Sequence, residues 1–70
     1  MKRRDVIRKL ATAAKQQDIE WTVDREGANH TIYLLGDTRI PIPRHAEIGE
    51  RLARAIFIEA EAELGRRWWQ

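Results

Sequence analysis

Apolar residues recur along this chain at two periods, and the changes of period mark its elements. Val6, Ile7, Leu10, Ala13 and Ala14 fall three or four apart, the spacing of one helical face. Arg4, Arg8, Lys9 and Lys15 fall largely outside that stripe. The pattern predicts a helix from Asp5 to about Gln17, with Asp5 as N-cap or first-turn acid and Asp18 closing the segment. From Ile19 the period drops to two. Ile19, Trp21 and Val23 alternate with Glu20, Thr22 and Asp24, which predicts a strand over Ile19 to Arg25 with one wet face and Trp21 in the core. Arg25 to Asn29 is a turn, in which Gly27 supplies backbone freedom and Asn29 tolerates the left-handed region. His30 to Leu35 is apolar on both parities and reads as a central strand. Gly36-Asp37 is a two-residue hairpin connection. Thr38 to about Ile42 follows as a third strand, which Pro41 and Pro43 confine to a sheet edge.

The helical period returns from Glu47 to about Arg66, with Ile48, Leu52, Ala55, Ile56, Ala60 and Leu64 as the expected buried stripe and Gly65 as the stop. Twenty helical residues span ~30 Å and a five-residue strand ~17 Å, so this helix should overhang the sheet. The order is α-β-β-β-α. The simplest closure is an α+β fold, a three-stranded antiparallel meander with two helices on one face, like that of double-stranded-RNA-binding domains. The chain reads as a single domain over 1–70, in which 57–70 is a helical C-terminal extension.

Composition narrows the chemistry. Seventy residues without cysteine have neither disulfides nor a thiolate metal site to support a small core. No apolar run approaches the ~18 residues of a membrane span, and no apolar stretch follows the basic start, so a cytoplasmic location without a membrane is expected. The net charge is only +2, but it is unevenly placed. Lys2, Arg3, Arg4, Arg8, Lys9 and Lys15 crowd the front, whereas Glu59, Glu61 and Glu63 gather near the end. A basic front suits an anionic partner such as RNA; it also suits an ordinary solvated face. Serine is absent along with cysteine, which removes hydrolases built on either nucleophile. No metal-ligand spacing and no phosphate-binding glycine loop is present, so neither a metal nor a cofactor is expected.

Metal-free acid–base chemistry remains, and RNA cleavage suits it, because the 2′-hydroxyl is its own nucleophile. The protein need only move protons, position the phosphate and stabilise charge. Imidazole is the side chain for proton transfer near neutral pH. There are two histidines, His30 at the mouth of the second strand and His45 before the last helix. Arg44 and the basic first helix could hold phosphate. An isolated histidine of this kind is, on composition alone, more often structural.

The segment Gly27-Ala28-Asn29-His30, then Ile40-Pro41-Ile42-Pro43-Arg44-His45 and Glu47-Ile48, resembles the HicA toxins, small mRNA interferases of type II toxin–antitoxin systems. Their pattern is a Gly-Ser-x-His turn, a strand, a Pro-Arg-His segment and a closing helix. The opening, Met1 to Leu10, is similar to HicA starts, and the match covers residues 1 to about 56. The resemblance implies ribosome-independent cleavage of mRNA and neutralisation by a HicB-type antitoxin. It maps the catalytic histidine onto His30, supported by the Gly27, Ala28 and Asn29 turn. His45 matches a segment that could supply a second acid, a phosphate contact or a cap, with Arg44 as phosphate ligand. Lys2, Arg3, Arg4, Arg8 and Lys9 would bind RNA.

Two departures from the family stand out. Ala28 replaces the turn serine, and the tail beyond Phe57 is long. Trp68-Trp69 in that tail fits an antitoxin surface, a homodimer through the C-terminal helix, or packing back onto the chain. Tyr33 fits base stacking on the open sheet face or a cross-strand pair. Two rival readings share the fold: a non-catalytic RNA-binding module, and an inactive toxin kept as an antitoxin-binding or oligomerising partner.

Overall fold

A computed structural model describes residues 1–70. The first helix, α1, spans Arg3–Gln16 and starts two residues earlier than its apolar stripe suggests. Its N-cap is Lys2, because the chain before it is tied down rather than free. Arg3 donates its amide to Ala46 (2.9 Å) and Ile48 donates to Met1 (2.7 Å), a short antiparallel bridge that aligns Lys2 with Glu47. Asp5 is thus a first-turn acid, 3.7 Å from Arg8. At the other end Asp18 takes a left-handed conformation (φ 57°). Ile19 then donates to the Ala14 carbonyl (2.8 Å) and Asp18 to that of Lys15 (3.2 Å), the two-bond stop usually built on glycine. Holding a non-glycine residue there costs free energy. Asp18→Gly should raise stability by about 0.5–1 kcal/mol after glycine's extra unfolded-state entropy is deducted, seen as a higher urea midpoint at unchanged slope.

The strands are β1 (Trp21–Glu26), β2 (His30–Leu35) and β3 (Thr38–Pro43), antiparallel in the order β1-β2-β3. The strand β2 is central and the proline-bearing β3 lies at an edge, as the sequence predicts. The β2–β3 connection is the two residues Gly36-Asp37, with Gly36 at φ 56°. Register divides the residues between the faces. Leu35, Ile40 and Ile42 are buried under the helices, with Thr31 and Tyr33 on the same side. His30, Ile32 and Leu34 pair with Pro43, Pro41 and Arg39 on the side that carries no helix. Tyr33 therefore lies on the helix face, not the open one. Its ring stacks on Trp21 at 4.5 Å and 6°. A bulge between Val23 and Arg25 breaks the alternation of β1. Before it, Thr22 opposes Leu34 on the open face; after it, Glu26 opposes Thr31 on the helix face. Val23 is half exposed despite facing the helices, and Trp21 is half-buried.

The single long second helix is not observed. Glu47 and Ile48 are held in the bridge to Met1–Arg3, so α2 starts at Glu50 with Gly49 as N-cap and runs to Glu59. A tightened turn at Ala60 (ψ −11°), where Glu63 donates to the Ala60 carbonyl (3.1 Å), separates it from α3, Glu61–Leu64. In α3 Glu63 accepts from the Thr38 hydroxyl (2.8 Å) and Leu64 is buried. A straight rod overhanging the sheet is replaced by two segments in a molecule 28 Å in its longest dimension. The buried stripe also differs. Ala53, Ile56 and Phe57 face inward with Ile48, Ala60 and Leu64, while Leu52 and Ala55 point outward. The extension from Phe57 is helical only to Leu64. Gly65 stops it, and the Gln17 amide donates to the Leu64 carbonyl (2.9 Å). Trp68 then folds back, its indole N–H donating to the Phe57 carbonyl (2.7 Å), with both tryptophans packed around the Phe57 ring. No helix is long and apolar enough to cross a membrane.

Candidate functional site

His30 opens β2, and its carbonyl closes the preceding turn by accepting from the Gly27 amide (2.8 Å). Gly27 serves close approach rather than an unusual φ: a Cβ would lie a tight 3.2 Å from the His30 carbonyl oxygen, so any larger residue would have to push the turn open by a few tenths of an ångström. Asn29 does not use the left-handed region. The turn is instead held from outside by Arg44. One guanidinium nitrogen donates to the Ala28 carbonyl (3.0 Å) and the other to the His30 carbonyl (3.1 Å) and to Glu26 Oε1 (2.8 Å). Three of the five donors of Arg44 are thereby committed, which leaves two for a phosphate. Ala28 contributes its carbonyl and is otherwise exposed, so this clamp has no need of a turn hydroxyl.

Behind the turn lies a polar chain that sequence reasoning missed. Thr31 is 3% exposed, and its hydroxyl donates to Glu26 Oε1 (2.8 Å) while accepting from Arg3 Nη2 (3.0 Å). Arg3 Nε donates in addition to the Pro43 carbonyl (2.9 Å). Arg3, Thr31, Glu26 and Arg44 thus connect the start of α1 to the histidine turn and to the end of β3. The available signal was faint: a threonine on the buried parity of an otherwise apolar strand, and one acid immediately before the turn glycine. Glu26 belongs on that face only because of the β1 bulge.

The Arg44 hydrogen bond, then that of Thr31, then the charges of Arg44 and Arg3 hold the Glu26 carboxyl below its ordinary value of 4.5. A lowered folded-state value means that the carboxylate stabilises the fold fully above the unfolded value and loses that contribution as pH falls through the folded one. Below pH 4.5 the urea midpoint of the wild type should therefore fall more steeply than that of Glu26→Gln, the two curves converging in strong acid. Parallel curves would remove Glu26 from the turn's support.

The His30 side chain is exposed and takes part in none of the chain's hydrogen bonds or ion pairs. By register it lies across from Pro43 on the open side of the sheet end, with Arg44 bound to its own carbonyl. Around it the structure gathers Gly27, Ala28, Asn29 and Arg44, and Arg3 through Thr31 and Pro43. His45 is exposed in the following loop. Lys2, Arg3 and Arg4 line a shallow basic concavity of about 290 Å³ with Ala46, one residue from His45. Arg8 and Lys9 are not part of this cluster; they line a separate groove further along α1. No three His, Asp or Glu side chains converge to hold a metal. What the arrangement offers is a solvent-facing imidazole on a fixed turn, with cationic groups on the adjoining rim. Compared with known proteins, the chain matches no family model, no curated protein and no solved structure.

Proposed function

We propose that this protein is a metal-independent RNA endonuclease of the HicA type, a cytoplasmic toxin neutralised by a HicB-type antitoxin. The observation that carries the reading is the His30 imidazole, free of internal partners and open to solvent on a turn that Arg44 holds. In this reading the RNA 2′-hydroxyl gives up its proton and attacks the adjacent phosphorus, the P–O5′ bond breaks, and the departing 5′-oxygen takes up a proton, with His30 serving one of these two proton transfers and water the other. The free donors of Arg44 and the rim of Lys2 and Arg4 hold the phosphate. The fold agrees with the resemblance of the Gly27 to His30 and Pro43-Arg44-His45 segments, and Ala28 is compatible with it because the turn is closed by backbone and Arg44.

One observation favours the rival, a module that binds RNA without cutting it. No hydrogen bond joins His30 to His45 or to any carboxylate, so no paired acid and base is preassembled. Incubation of wild type and His30→Ala with a labelled RNA in the presence of chelator separates the two. Cleavage by the wild type alone supports the nuclease. Equal binding with cleavage by neither supports the module, and binding of a cognate antitoxin without RNA supports an inactive toxin.

A further inference from the structure

The largest concavity in the molecule, about 510 Å³, lies away from His30, between α1 and the folded-back tail. Its volume is within the range of small-ligand sites. One wall is the solvent side of α1, with Arg8, Lys9, Thr12 and Gln16; the other is Trp68 and Trp69. The tryptophan wall is built rather than loose. Trp68 is fixed through its indole N–H to the Phe57 carbonyl (2.7 Å) and meets Phe57 edge-on at 5.2 Å. Trp69 lies against the same ring at 5.9 Å and 28°. The chain offers no acceptor to the Trp69 indole N–H. The one acid in the groove, Asp5, is paired with Arg8, whose side chain remains 72% exposed. A groove with rigid indoles on one side and exposed cations on the other matches a polymer of flat bases and phosphates better than an apolar peptide. It also lies next along α1 from the basic rim, as a separate concavity. Arg4 and Arg8 are one helical turn apart, ~6 Å of rise, and Arg4 lines the concavity beside Ala46.

We propose that this groove is a second contact for single-stranded RNA. A base stacks on Trp69, and Arg8 and Lys9 pair with the flanking phosphates. The proposal rests on the nuclease reading for its choice of RNA, and it is tested apart from cleavage.

The test is binding of a short fluorescein-labelled oligouridylate to the His30→Ala protein, with groove variants made in that background. Trp69→Ala should weaken binding by roughly 5- to 100-fold, and Trp69→Phe should restore most of it. The Arg8→Ala/Lys9→Ala pair, on an exposed helix face where folding is little affected, should lower the salt slope of log K by roughly 0.7 per lost contact. Unchanged affinity and slope in all these variants would overturn the proposal while leaving the nuclease intact. Groove variants that lose RNA affinity when the wild type cuts no RNA would uphold the groove and remove the nuclease. Loss of antitoxin binding with RNA affinity unchanged would give the groove to a protein partner and overturn the proposal.

Discussion

Replacing His30 with alanine is expected to slow RNA cleavage by about 10²- to 10⁴-fold, the usual contribution of one positioned proton-transfer group. The fold should be unaffected. The ring is exposed and unpaired, and the groups that hold its turn are the His30 carbonyl, Gly27 and Arg44, none of which the substitution removes. Melting temperature should therefore stay within a few degrees while single-turnover cleavage of a labelled RNA collapses. An alanine variant that cuts at the wild-type rate would remove His30 from the chemistry. The separation of activity from stability is what gives the result meaning, since a buried structural histidine would lose both together.

The second large effect is expected at Arg3. Its guanidinium joins α1 to the sheet through Thr31 and Pro43, and Arg3→Ala removes both bonds while leaving the Pro43 carbonyl short of a donor. Hydrogen bonds from a charged donor contribute about 1.5–3 kcal/mol. A chain of this length has a total stability of only about 4–10 kcal/mol. At ~4–8 °C per kcal/mol, a fall of about 10 °C or more in melting temperature follows. Arg4→Ala, at the exposed neighbouring position, should change stability by no more than ~0.5 kcal/mol and serves as the control. Arg3→Lys keeps the charge without the planar fork and should recover only part of the loss. If Arg3→Ala and Arg4→Ala melt together, the bridge from α1 to the histidine turn is not a stabilising element. Of the cationic front, Arg3 is the half-buried member, occupied by the protein's own oxygens.

The distinction between Arg3 and Arg4 shows how far the amino-acid order could be read. Charge and helical position are nearly the same for both, and only the place where α1 meets the sheet assigns one to structure and the other to solvent. Arg44 is similar. Its neighbourhood to His45 and the prolines was visible, but not that Glu26 and two turn carbonyls, 14 to 18 residues away, take three of its donors.

Local patterning was enough to order the first helix and the three strands and to place helical structure after them. Helical and two-residue periods are local properties of side-chain direction, proline excludes the central strand, and Gly36 permits a tight hairpin. They give the helix–three strands–helical end order, the central place of β2 and the position of His30 at its mouth. Contacts between distant segments, and one residue of register, set the rest. The bridge between Met1–Arg3 and Ala46–Ile48 delays α2 until Glu50. The Thr38–Glu63 bond lies just beyond the break at Ala60, where periodicity predicts one continuous helix. The single bulge in β1 turns Glu26 onto the face where Thr31, Arg3 and Arg44 can meet it, because one extra residue reverses every side chain beyond it.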